Sequence, residues 1–162
     1  MVNVKTMIRV LVLLGQGSLI CTANAVCLDP KTFVSGYRIP LASEVGSADA
    51  IVAGRVLSER ALSEDPADPE VVTAYDVTVK VITRLKGDVP DMLILRNENT
   101  SARYPMSVGE EHILFVSRER RQAWVDSCGN SSLMPAGRQV VVRIQAEMRN
   151  AKSHASSSSH AR

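Results

Sequence analysis

Aromatic residues are scarce in this chain, with one Trp, three Tyr and two Phe among 162 residues. That is too few for a platform on which nucleic-acid bases stack. A surplus of positive charge is missing as well. The 19 Lys and Arg face 17 Asp and Glu, and two of the cations, Lys5 and Arg9, lie in an N-terminal leader, which leaves 17 against 17. Sequence-independent nucleic-acid binding draws on excess cations to displace counterions, so nucleic acid is not expected as a partner. No His-Glu-x-x-His, Gly-rich phosphate loop, Cys-x-x-Cys or nucleophile-elbow pattern occurs. No enzymatic centre, metal or cofactor is therefore expected.

An unbroken apolar run long enough to cross a bilayer is also lacking. Lys5 and Arg9 precede Val10 to Leu14 and then Leu19-Ile20-Cys21, but Gly15-Gln16-Gly17 interrupts the stretch, and a span needs about 20 continuous apolar residues. A cationic head, a short apolar middle and the exit Ala23-Asn24-Ala25 follow instead the order of a secretory signal peptide. Cleavage is expected between Ala25 and Val26, and a start at Met7 would leave the same mature chain. Lipidation of Cys21 is disfavoured by the bulky Ile20 before it. The expected organisation is a signal peptide over 1–25, one domain over 26–151 and a disordered Ser-rich tail over 152–162. The mature chain, with no stable membrane span, is expected outside the cytoplasm, secreted or periplasmic.

Within the domain the odd positions Val71, Thr73, Tyr75, Val77, Val79 and Val81 alternate with Asp76, Thr78 and Lys80, the pattern of a long strand with one buried face. Ala50 to Leu57, Met92 to Arg96, His112 to Ser117 and Gln122 to Asp126 are further strand candidates. Pro66 and Pro69 mark the acidic stretch from Ser63 as a loop, and Leu41 to Ser47 fits one or two helical turns, with Pro40 at the first helical position. Val141, Ile144, Met148 and Ala151 recur at the period of one helix face, although Val140-Val141-Val142 favours a strand locally. A mainly β domain follows: a five-stranded Greek-key, OB-like barrel with a C-terminal α-helix, preceded by the signal peptide.

Two cysteines remain in the mature chain, Cys27 and Cys128. In an oxidising compartment they are most simply a disulfide. The alternative, a catalytic thiol, finds neither a basic residue nor a His near either cysteine in sequence. His112, beside Glu110 and Glu111, reads as an ordinary strand residue, and Trp124 as core or rim packing. Asn99-Thr100-Ser101 and Asn130-Ser131-Ser132 are formal glycosylation sequons.

The order of Cys27, Ser47 to Val56, Val79 to Gly87, Val108 to Val116 and Asp126-Ser127-Cys128-Gly129 resembles the netrin-like superfamily. Within it the similarity is to the tissue-inhibitor-of-metalloproteinases type of domain and its bacterial relatives, over Cys27 to Arg149. The resemblance implies a five-stranded barrel with terminal helices and a protein partner met by the N-terminal edge, Val26, Cys27, Leu28 and Asp29. In that family an amine-terminal cysteine chelates the zinc of a metalloprotease. Here Val26 precedes Cys27 and no second cysteine follows at Asp29, so an amide nitrogen, a poor ligand, stands where the amine would be. The leading expectation is a non-enzymatic protein-binding module with an inhibitor-like barrel. A metalloprotease inhibitor, a structural envelope protein and a thiol enzyme or hydrolase are the alternatives.

Overall fold

The computed structural model describes residues 27–159. The expected signal peptide, its cleavage point at Ala25 and Val26, and Cys21 lie outside the described residues.

Two strands, β1 (Ala50–Leu62) and β4 (Glu111–Glu119), pair antiparallel at the centre of the fold. Their apolar runs do not alternate because both faces are covered. Ala50, Val52, Leu114 and Val116 point into one core, while Ile51, Ile113 and Phe115 point into a second. Burying each such Val, Leu or Ile stabilises the fold by roughly 1.5–3 kcal/mol. The first core is closed by β2 (Ala74–Lys86), β3 (Met92–Glu98) and β5 (Gln122–Val125), which add Val77, Val79, Leu93, Leu95 and Ala123. The second lies under two helices, α1 (Leu41–Ser47) and α2 (Gly137–Ser159), through Leu41, Val45 and Ile144.

The sheet is antiparallel, with strand order β3-β2-β1-β4-β5, and the two-residue β6 (Ser132–Leu133) pairs with β4. It therefore has six strands, against the five expected, and it is open. β3 and β5, the two ends of the order, approach within 8 Å between Cα atoms. They share the first core, so the sheet is strongly curled, yet they are not hydrogen-bonded neighbours.

The long strand β2 starts at Ala74 rather than Val71 and runs on to Lys86. Its alternation holds through Val77, Val79 and Val81, which are buried. The helical stripe of Val141, Ile144 and Met148 prevails over the local β preference of Val140 to Val142, because Ile144 is fully buried and Val141 and Met148 pack against the second core. α2 continues past Ala151 to Ser159, into the stretch that composition assigns to an irregular tail.

The end of α1 is fixed from a distance. The Lys86 ammonium donates to the carbonyls of Val45, Gly46 and Ala48 at 2.6–2.8 Å, filling the acceptors that a helix C-terminus leaves open. Gly87 follows at φ +73°, and a Cβ there would lie 2.2 Å from the Asp49 carbonyl oxygen. Only glycine lets the end of β2 pass this close to the α1–β1 junction.

Candidate functional site

Cys27 and Cys128 form a disulfide, with their Cα atoms 5.5 Å apart and a sequence separation of 101. The bond places the N-terminal edge against the segment that follows β5. Around it the backbone is tied repeatedly: Ile39 N–H donates to the Cys128 carbonyl at 3.0 Å, and an Arg38 guanidinium N–H donates to the Gly129 carbonyl at 2.8 Å.

The chain from Cys27 to Gly36 makes a tight knuckle. Leu28 and Ser35 form an antiparallel bridge. Asp29 holds the bend. Its N–H donates to Val34 O, its carbonyl accepts from Phe33 N–H, and its side-chain oxygen accepts from the N–H groups of Lys31 and Thr32 at 2.8–2.9 Å. The Thr32 and then the Lys31 hydrogen bonds hold the Asp29 carboxyl below its usual range. At the tip, Phe33 takes φ +58°, a left-handed conformation that costs a non-glycine residue roughly 1–2 kcal/mol. The apolar side chains here face outward: Phe33 is 75 % exposed, Val34 63 % and Leu28 49 %.

Beside the disulfide a cleft of about 510 Å³ opens between the two free sheet edges. β3 supplies Arg96 and Asn97, β5 supplies Trp124, and the turn after β3 supplies Thr100 and Arg103, with Cys128 itself at the border. Arg96 is held in place by Glu64 and Glu98. The Arg96 hydrogen bond lowers the Glu64 carboxyl from its ordinary value. One aromatic wall with charges of both signs at its rim suits a polypeptide surface better than a ligand of a single charge.

Of the sequence-predicted residues, Cys27, Leu28 and Asp29 are thus brought together with Cys128, while Val26 lies outside the described residues. Of the two places expected for Trp124, core or rim, it takes the rim, half-buried along the cleft. Asn130 is consumed structurally, its side-chain amide donating to Ile39 O at 2.8 Å and to the Glu44 carboxylate at 2.6 Å. Sequence reasoning missed Phe33 and Val34, whose signal is an adjacent apolar pair set between Asp29-Pro30 and Gly36 in a turn-rich stretch.

His112 lies on β4, as its sequence context predicts, but inside the protein. It is 2 % exposed, and both its ring nitrogens are occupied: Nδ1 lies 3.0 Å from the Tyr104 hydroxyl and Nε2 lies 3.2 Å from Glu110 Oε2. Burial pushes the imidazole below its ordinary value, against the pull of Glu110.

No protein-family model matches the chain, and no curated protein matches it in sequence. Among the described residues no group of three or more His, Cys, Asp or Glu is arranged to hold a metal ion, and no helix is long and apolar enough to cross a membrane.

Proposed function

We propose that this chain is an extracytoplasmic, non-enzymatic protein-binding module that meets its partner with the knuckle formed by Leu28, Asp29, Phe33 and Val34. One observation carries the reading: three apolar side chains stand exposed on a loop that a disulfide and the Asp29 bonds hold rigid. Exposed apolar side chains on a flexible tail would lose much of their contact energy to ordering on binding. On a fixed loop that cost falls. Aromatic side chains such as Phe33 are enriched at the cores of protein interfaces relative to the rest of the surface.

The extracytoplasmic part of the reading draws on the leader and on the disulfide, which persists in an oxidising compartment. It also weakens the thiol-enzyme alternative, since Cys27 and Cys128 are bonded to each other. Strand order, sheet curl and the position of the disulfide support placing the domain with the netrin-like OB barrels as an unclosed variant.

The test is site-specific photo-crosslinking from position 34 in the exported protein, compared with crosslinking from Val108, which is equally exposed elsewhere on the surface. A saturable adduct from position 34 alone, with the purified partner binding less tightly to a Phe33→Ser variant, is the expected result. Adducts that fail to saturate, or that form equally from both positions, would overturn the proposal.

A further inference from the structure

We infer that Glu110, His112 and Tyr104 form an acid-sensitive latch on the turn between β3 and β4, the turn that walls the cleft beside the disulfide. Each link is geometric. Glu110 is anchored by Ser107 N–H, which donates to its Oε2 at 2.7 Å, and the same oxygen faces His112 Nε2. A carboxylate only accepts, so Nε2 carries the ring proton and Nδ1 is left to accept from the Tyr104 hydroxyl. The two rings meet edge to face, with centroids 5.6 Å apart. From Tyr104 the chain of contacts continues through its carbonyl, which accepts from Asn97 Nδ2 at 2.9 Å inside the protein. Asn97 and three neighbours of Tyr104, namely Thr100, Ala102 and Arg103, line the cleft.

Protonation reverses one link. When a proton from solvent reaches Nδ1, that nitrogen becomes a donor facing a donor, and the Tyr104 hydroxyl must turn and find a new acceptor for its own hydrogen. Little else around the ring compensates. Gly54 stands opposite His112 on β1 and carries no side chain, while Leu133 stands opposite on β6. Arg55 and Glu111 pair with each other one residue along, on the other face of the sheet. Arg38 acts on Tyr104 by charge, and among the described residues Glu110 is the single anion acting on the imidazole. A buried imidazolium with one spent acceptor is costly. The turn over it is pinned at its start, where Asn99 donates to the Thr73 and Val72 carbonyls and the Arg103 guanidinium lies over the Tyr75 ring, while from Thr100 to Tyr104 its backbone is held by short-range bonds, so the Tyr104 end is the part free to lift. Lifting Tyr104 hydrates the ring and opens the cleft wall. The latch acts on the cleft whether or not a partner docks on the knuckle.

The experiment is amide hydrogen exchange of the segment 99–107, corrected for intrinsic rates, between about pH 7.5 and about pH 5, with the ring of His112 followed by NMR. It uses a variant in which His154→Ala and His160→Ala leave His112 as the one histidine of the three. Protection of 99–107 is expected to fall as His112 titrates, by up to about tenfold per pH unit, while β2 keeps its protection. Tyr104→Phe is expected to raise exchange in the segment at neutral pH and to remove its pH dependence. His112→Gln is expected to abolish the transition. A ring that titrates without loss of protection in the segment overturns the latch, as does a transition that survives in Tyr104→Phe. The ring titration is read in a protein with an intact latch, so it decides the matter even where His112→Gln does not fold.

Discussion

Glu44 and Asn130, 86 residues apart in sequence, are joined twice: the Glu44 Oε2 accepts from the Asn130 backbone N–H at 2.7 Å and from its side-chain amide at 2.6 Å. The pair connects α1 to the segment that carries Cys128, so it ties that segment to the fold independently of the disulfide. Gly129 makes room for it, since a Cβ there would fall 2.1 Å from Glu44 Oε1. Replacing Glu44 with Ala leaves the half-buried Asn130 N–H without an acceptor. The expected cost is about 1–3 kcal/mol, read as a lowered urea midpoint at unchanged slope.

Glu44 and His112 bend the stability curve in opposite directions. Burial raises the Glu44 carboxyl above its ordinary 4.5, so the folded state binds that proton more tightly than the unfolded state. Its contribution to stability is present below 4.5 and is lost as pH rises through the raised folded value. Burial lowers His112 below its ordinary 6.5. Its contribution is present above 6.5 and is lost as pH falls toward the folded value. A Glu44→Gln variant keeps the histidine loss and gives up the carboxyl gain. It is therefore expected to lose more stability than the parent as a urea-denaturation series is taken from neutral pH toward 4.5. Parallel curves would show that Glu44 titrates alike in both states.

The disulfide closes a loop of 101 residues. Replacing Cys27 and Cys128 together with Ala releases the denatured chain from that constraint, which on the chain-entropy model removes up to about 4.7 kcal/mol. That is a large part of the 5–15 kcal/mol typical of a whole domain, here a rough yardstick. The double variant is expected to unfold at much lower urea, followed by the fluorescence of Trp124. A change below about 1 kcal/mol would mean that Arg38, Ile39 and the Glu44–Asn130 pair hold the edge unaided.

The parts of this fold legible in the sequence are those decided by one face against water. β2 announces itself because Val77, Val79 and Val81 are buried while Lys80 and Ile82 are exposed. α2 does so because Ile144 is buried and Val142 is exposed. β1 and β4 read as short strands because their apolar runs mark only the part covered on both faces; the exposed continuations Ser58–Ala61 and Arg118–Glu119 follow from backbone pairing with β2 and β5, which leaves no trace in hydropathy. β6, two residues long, has no period to detect. The open gap between β3 and β5 escaped for a related reason: Leu93, Leu95 and Ala123 are buried whether or not the edges pair. Of the site, the cysteine pair was readable from the leader and the count of thiols. The latch was not, because Tyr104 and His112 meet through the path of a turn that no periodicity encodes.

Phe33 offers the sharpest separation of stability from function. Its ring is 75 % exposed and its backbone sits at φ +58°, so the folded domain gains little from the side chain and bears the left-handed strain. A Phe33→Gly substitution relieves roughly 1–2 kcal/mol of that strain and loses roughly 0.4–1 kcal/mol to the greater freedom of the unfolded chain. The two nearly cancel. The variant is expected to match the parent in urea midpoint within about 1 kcal/mol, while losing the saturable crosslink from position 34. A variant that keeps the crosslink would show that the ring is not the anchor. One that is strongly destabilised would show that Phe33 serves the fold. A residue that strains the backbone, buries little of its ring and yet proves necessary for the crosslink would have its reason in what it touches on another molecule.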